Sequence, residues 1–158
     1  MATEIERKFL VSGDGWRIDA TSKRVRQGYL SLNPVRIVRV RISGENAYLT
    51  IKGEQQGLSR SEFEYAIPLV DAEHMLDHLC AKPLIEKTRY RVPHDGLTWE
   101  VDEFFGDNAG LIIAEIELSD THQAITLPDW VGQEVTHEAR YYNSMLVQQP
   151  YSVWRSAA

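Results

Sequence analysis

Over most of this chain apolar and polar residues alternate with a period of two, which is the signature of β-strands with two unlike faces. Such runs cover 3–11, 24–32, 35–43, 46–53, 60–68, 85–93, 97–105 and 111–118. Turn signals separate many of them, including Asn33-Pro34, Gly44-Glu45-Asn46, the stretch from Gly53 to Gly57, and Pro93-His94-Asp95-Gly96. Strands joined by turns this short are antiparallel neighbours. Helical spacing is confined to a few places. Residues 71–80 begin at Asp71, a good N-cap, and put Ala72, Met75, Leu76 and Leu79 on one face. Residues 136–148 place Ala139, Tyr142, Met145 and Leu146 at helical intervals, and short helices are also expected near Gly15 to Ala20 and Ser119 to Ile125. The expected fold is mainly β: a closed eight-stranded antiparallel barrel with a few helices packed outside, because closure removes exposed strand edges.

The polar faces of these strands are unusual. Glu4, Glu6 and Lys8 share one face of the first run, Arg39 and Arg41 one face of the third, and Thr50 and Lys52 one face of the fourth. Glu62 and Glu64 follow, then Lys87, Arg89 and Arg91, then Glu100 and Asp102, then Glu115 and Glu117. A solvated outer face is the plain explanation of such amphipathic strands. Two features favour a charged interior instead. The charges are grouped by sign, strand by strand, whereas a solubilising face would mix in Ser, Thr, Asn and Gln. The helices also have apolar faces that need a partner, which the outside of a polar-lined barrel would supply. A lone ion in a dry interior faces an idealised penalty on the order of 20 kcal/mol, so these groups must be paired, hydrated or bound to a ligand. Carboxylates attract hard divalent ions such as Mg²⁺ or Mn²⁺, and Arg and Lys attract phosphoryl oxygens. Together they describe a metal–polyphosphate site.

Composition narrows the alternatives. The chain has 158 residues, 43% hydrophobic and 25% charged, as expected for one soluble globular domain over 1–158 with a loose tail at 148–158. No apolar run is long enough for a transmembrane helix, and the charged start Met1-Ala-Thr-Glu-Ile-Glu-Arg-Lys is not expected to be a signal peptide. The single Cys80 allows no internal disulfide, which fits a cytoplasmic setting. A net charge of -6 argues against a nucleic-acid partner. His74 and His78 have zinc-helix spacing without a third ligand, and Gly53 to Gly57 lacks the ending of a phosphate-binding loop; both read as ordinary surface features.

The segment Glu4-Ile5-Glu6-Arg7-Lys8 resembles the N-terminal E-x-E-x-K signature of the CYTH superfamily, the triphosphate tunnel metalloenzymes. The resemblance continues in order through Arg39-Val40-Arg41, Thr50-Ile51-Lys52, Ser61-Glu62-Phe63-Glu64 and Glu86-Lys87-Thr88-Arg89-Tyr90. It extends through Glu100-Val101-Asp102, Glu115-Ile116-Glu117, and Glu134-Val135-Thr136 to Arg140-Tyr141. One departure is Glu138, where such relatives often carry Asp. The short chain and the Gln27-Gly28-Tyr29-Leu30 stretch look most like the small bacterial tripolyphosphatases. The resemblance implies a tunnel in which Glu4, Glu6, Glu62, Glu64, Asp102, Glu115 and Glu117 form a metal-binding wall for Mg²⁺ or Mn²⁺, with two ions engaged during turnover. Lys8, Arg39, Arg41, Lys52, Lys87 and Arg89 would clamp the phosphate chain; Arg140 either reaches the tunnel or caps the C-terminal helix. Candidates for catalytic proton handling are a carboxylate, a lysine such as Lys52 or Lys87, or Tyr29, for which a packing or gating role stays open. The implied activity is metal-dependent hydrolysis of a triphosphate, foremost inorganic tripolyphosphate to diphosphate and phosphate. Adenylate cyclase, thiamine triphosphatase and a non-catalytic polyphosphate-binding module are the rivals. The oligomeric state stays open.

Overall fold

A computed structural model describes residues 3–156. Nine strands form: β1 (Thr3–Val11), β2 (Thr21–Ser31), β3 (Arg36–Ser43), β4 (Asn46–Gly53), β5 (Ser59–Ile67), β6 (Ile85–His94), β7 (Leu97–Phe104), β8 (Ile112–Glu117) and β9 (Val131–Glu134). Their order is β5-β4-β3-β2-β6-β7-β8-β1-β9, and β5 also pairs with β1. The first eight therefore close into an antiparallel barrel. The pairing Thr3↔Ser61 to Ile5↔Ser59 seals it, while Phe9 and Val11 further along β1 take β9 as an extra strand. The β6–β7 hairpin turns at Asp95 and Gly96, both with positive φ (51° and 77°), the backbone that the twist of a two-residue hairpin requires.

β9 gives little sequence signal: only four residues long, it begins with its one large apolar side chain. A Cβ on its Gly132 would stand 3.3 Å from the Leu10 carbonyl oxygen, so its approach to β1 depends on glycine.

Three apolar clusters explain why the barrel can be polar within. Phe9, Val92, Trp99, Val101, Ala114 and Ile116 point outward from β1, β6, β7 and β8, and are covered by Trp16, Ile125 and Trp130. Helix α1 (Leu69–His78) lays Ala72 and Leu76 over Val40 and Ala47. A third cluster closes one end of the barrel: Tyr29, Ile37, Ile85 and Ile113, in the same strand phase as the charged residues, pack against Tyr141, Leu146 and Val147 of the C-terminal segment.

The helical expectations need correction. α1 starts two residues earlier than expected, behind Pro68, whose φ of -59° suits a helix entrance; Asp71 sits in the first turn, and Leu79 is exposed beyond the helix end. The expected helix 136–148 is split into a 3-10 turn Ala139–Tyr141 and α2 (Asn143–Gln148). Tyr142 is extended between them, its hydroxyl donating to the Thr136 carbonyl at 3.0 Å. No helix forms at 119–125, because Ser119 and Asp120 side chains bond locally with Gln123 and the His122 N–H instead. A 3-10 turn does form at Gly15–Arg17. The expected loose tail contains α3 (Tyr151–Ser156), and Trp154 packs edge-on to Tyr141 at 5.3 Å; residues 157–158 lie outside the described part. No helix among the described residues is long and apolar enough to cross a membrane.

Candidate active site

Because β-strand side chains alternate, one phase of each barrel strand points inward. Along that phase Glu4, Glu6 and Lys8 (β1), Arg39 and Arg41 (β3), Lys52 (β4), Glu62 and Glu64 (β5), Lys87 and Arg89 (β6), Glu100 (β7) and Glu115 and Glu117 (β8) all border one cavity of about 260 Å³. Tyr29 of β2 and Thr136, Tyr142, Asn143 and Ser144 of the C-terminal segment also border it. The solvated-face alternative is thereby set aside for these residues. Arg91 is the exception: it is exposed, and pairs with Glu100 at 3.4 Å.

The interior charges divide into two kinds. Some carboxylates are neutralised by cations. Asp102, with no exposed surface, receives both ends of Arg89 at 2.8 Å and the ammonium of Lys87 at 2.8 Å. Glu115 accepts from Lys8 at 2.9 Å and lies 3.5 Å from Arg89. Glu4 takes Lys52 on both oxygens at 3.0 Å and stands 3.5 Å from Arg60. Burial alone would raise these acids, but their cationic partners outweigh it: Asp102 falls to about 2, and Glu115 and Glu4 are also lowered. Glu64 receives Thr50 at 2.8 Å and Arg39 at 3.5 Å.

Others are not neutralised. Glu6 and Glu117 are directly opposed on β1 and β8, and no ion pair reaches either among the described residues. Glu100 and Glu115 are also opposed on β7 and β8, but cations reach both: Arg89 and Arg91 stand 3.4 Å from Glu100, and Lys8 holds Glu115. Like charges in such positions repel. Burial, then Glu115 and Glu4, push Glu6 up to about 8; burial, then Glu4 and Glu100, raise Glu117; burial and Glu4 raise Glu62. A wall that holds carboxylates against their own repulsion fits a divalent cation by donor chemistry and by charge. As the side chains lie, no three His, Cys, Asp or Glu among the described residues are gathered in metal-holding geometry.

The cations are interleaved with these acids around the same cavity. The buried Arg39 Nε has no hydrogen-bond partner, an unused donor at an anion-lined interior. Burial lowers Lys87 to about 7; Asp102 opposes this shift, and Arg89 and Arg41 add to it. Burial also raises Tyr29, which stays a neutral O–H donor at neutral pH rather than a ready base. Lys52 has its ammonium committed to Glu4 and to Glu62 at 3.4 Å.

Two sequence expectations therefore change. Asp102 is a counter-ion behind Arg89 and Lys87 and does not border the cavity. Arg140 does not border it either: its guanidinium lies 4.5 Å from the Trp154 ring centre and 5.0 Å from that of Tyr141, since the split helix carries it onto the docked C-terminal segment. Arg60, in the strand phase of Glu62 and Glu64, also borders the cavity; Gln27 and Asn143 carry no ionic signal and depend on a contact between residues 116 apart in sequence.

The unneutralised acids imply a pH effect on the metal-free protein. Glu6 holds its proton up to about 8 when folded, but ionises near ~4.3 when unfolded. The folded state thus binds more protons across this interval, and stability falls as pH rises through it. Glu117 and Glu62 act in the same direction; Lys87, lowered to about 7, opposes this only above that pH. Calorimetry of metal-free protein should show Tm falling between about pH 5 and about pH 8, with a flatter profile for Glu6→Gln. A wild-type Tm that climbs over this range would contradict the reading.

Residues 2–148 match the CYTH domain family. An inorganic triphosphatase of Acetivibrio thermocellus is 51% identical over 151 residues, covering 96% of this chain and 97% of that protein. An inorganic triphosphatase of Nitrosomonas europaea is 40% identical over 151 residues, covering 91% of this chain and 96% of that protein. The solved crystal structure of an inorganic triphosphatase superposes with a TM-score of 0.65 at 34% identity, covering 90% of this chain and 96% of that one.

Proposed function

The chain belongs to the CYTH domain family, and from that premise we propose that it is a divalent-metal-dependent triphosphatase that hydrolyses inorganic tripolyphosphate to diphosphate and phosphate. The observation that carries the reading is one cavity bordered both by opposed, unneutralised carboxylates and by a set of Arg and Lys side chains. Two relatives that match nearly the whole chain are inorganic triphosphatases. A pure anion binder would have no use for Glu6 facing Glu117.

Glu6, Glu117 and Glu62 would hold Mg²⁺ or Mn²⁺, with Glu4, Glu115 and Glu64 beside them. When bound, the ions supply Lewis-acid stabilisation of phosphoryl oxygens and a more acidic water. Arg39, Arg41 and Arg89 bind the phosphate chain and hold positive charge where negative charge develops as the terminal P–O bridge breaks. Lys8 and Lys52 keep the acidic wall from excluding the polyanion. Lys87 is the proton-handling residue. In its neutral form two N–H bonds are occupied, donating to Asp102 at 2.8 Å and Asn143 Oδ1 at 2.9 Å, which leaves the lone pair as the unclaimed position. It takes the proton of the attacking water as that oxygen bonds to phosphorus; diphosphate leaves. Tyr29, beside the apolar plug and bordering the cavity, would offer its O–H to a phosphoryl oxygen. The same reading takes residues 1–158 as one domain acting in a cytoplasmic setting, supported by the lone free Cys80.

A panel of tripolyphosphate, ATP and thiamine triphosphate under one metal and pH condition tests the substrate. Tripolyphosphate should have the highest kcat/KM, because Tyr65, Tyr90 and Trp99 do not border the cavity, and of the two tyrosines that do, Tyr29 is buried and Tyr142 has Lys8 5.8 Å from its ring centre. A tenfold preference requires about 1.4 kcal/mol of differential binding, within reach of one charged hydrogen bond. A clear win for ATP with cyclic AMP as product would overturn the assignment.

A further inference from the structure

Most cations assigned to the phosphate chain already have a carboxylate partner. Lys8 has Glu115, Arg39 has Glu64, Lys52 has Glu4, and Lys87 and Arg89 share Asp102. Arg41 differs: among the described residues no carboxylate lies within ion-pair range, and its Nε donates to a neutral amide, Gln27 Oε1, at 2.9 Å. Gln27 has no exposed surface. Its Nε2 donates to Asn143 Oδ1 at 3.0 Å and lies 3.4 Å from the Tyr29 hydroxyl. Asn143 Oδ1 also accepts from Lys87 Nζ at 2.9 Å. The direction of each bond follows from chemistry: Arg41 can only donate, so the Gln27 oxygen must face it, and the Gln27 NH₂ is left to donate to Asn143 Oδ1.

We propose that Gln27 is a positioning residue for Arg41, and that Asn143 at the start of α2 holds Gln27 in place. This rests on the reading of Arg41 as a phosphate-binding group. A carboxylate clamp would fix a guanidinium but cancel its charge. A buried amide on Nε fixes the plane and leaves both terminal nitrogens, and the full positive charge, for a phosphoryl group. Because Asn143 comes from the C-terminal segment, docking of Leu146 and Val147 into the apolar plug sets this register. No charge pattern marks Gln27 or Asn143, so the role belongs to the folded arrangement.

Two measurements test it. Gln27→Met keeps the volume and removes both polar ends. In the wild-type background it should lower kcat/KM for tripolyphosphate with Mg²⁺ by about tenfold or more, as misplacement of a binding group does. With Arg41→Ala already present it should change nothing further, because Gln27 acts through Arg41. An equal loss in both backgrounds overturns the proposal and leaves the triphosphatase reading intact. The second measurement needs no activity. In ¹⁵N NMR of the ligand-free protein, the Arg41 Nε–H signal should be sharp and slow to exchange. Gln27→Met should broaden or abolish it, and Asn143→Ala should shift and weaken it. A signal unchanged in both variants overturns the proposal; absence of tripolyphosphate turnover by wild-type protein would instead overturn the function.

Discussion

Replacing Asp102 with Ala is expected to destabilise the protein by about 3–5 kcal/mol, because removing one member of a buried ion group leaves its partners uncompensated. Asp102 has no exposed surface and receives Arg89 through two bonds and Lys87 through a third, all at 2.8 Å. Neither cation has a full substitute: Arg89 would keep Glu100 at 3.4 Å and Glu115 at 3.5 Å, and Lys87 would keep only the neutral Asn143. For a chain of this length the loss corresponds to a Tm lower by roughly 6–20 °C. Calorimetry of the metal-free variant reads it directly. Glu6→Ala should behave in the opposite way, with a metal-free Tm equal to or above wild type near neutral pH, since it removes a carboxylate that faces Glu117 without a cation. Glu4 belongs with Asp102 in this respect, because Lys52 and Arg60 depend on it. A loss below about 1 kcal/mol for Asp102→Ala would place that residue outside the structural ion group.

The largest effect on catalysis is expected at Lys87. Lys87→Ala should lower kcat for tripolyphosphate by about 10²–10⁴-fold, the usual contribution of a positioned proton-transfer group. Lys87→Arg should not restore it. Arginine keeps the charge but cannot release its proton, and the buried site favours a group near 7. In wild-type protein kcat/KM should rise with pH through about 7, and this limb should vanish in Lys87→Arg. If Lys87→Arg retains near wild-type kcat, the residue serves only as a positive charge, and proton transfer belongs to another group.

Much of this was legible in the chain. Period-two alternation located all eight barrel strands within a few residues, because nearly every one has one apolar and one ionised face; β2, whose inward phase includes Val25, Gln27 and Tyr29, does not. Grouping of charges by sign correctly pointed to a shared interior. What alternation cannot supply is the identity of the neighbour across the strand gap. Asp102 and Glu6 look alike in sequence, as inward carboxylates. Register makes them opposites: Asp102 stands against Arg89 on β6, and Glu6 against Glu117 on β8. The segment after β8 was least legible for the same reason. Its short helices have little periodicity of their own, and their positions are set by docking into the barrel end. That docking brings Asn143 to Lys87 and draws Arg140 away onto Trp154.

The central claim is that this charged interior splits a triphosphate with the help of divalent metal. The most direct test is a ³¹P NMR time course of metal-stripped protein with tripolyphosphate, before and after Mg²⁺ or Mn²⁺ is added, and again in excess chelator. The account predicts no turnover without metal, equal amounts of diphosphate and orthophosphate once metal is present, and loss of activity when chelator removes it. Undiminished hydrolysis in excess chelator, or binding of tripolyphosphate without any cleavage in the presence of either metal, would contradict it.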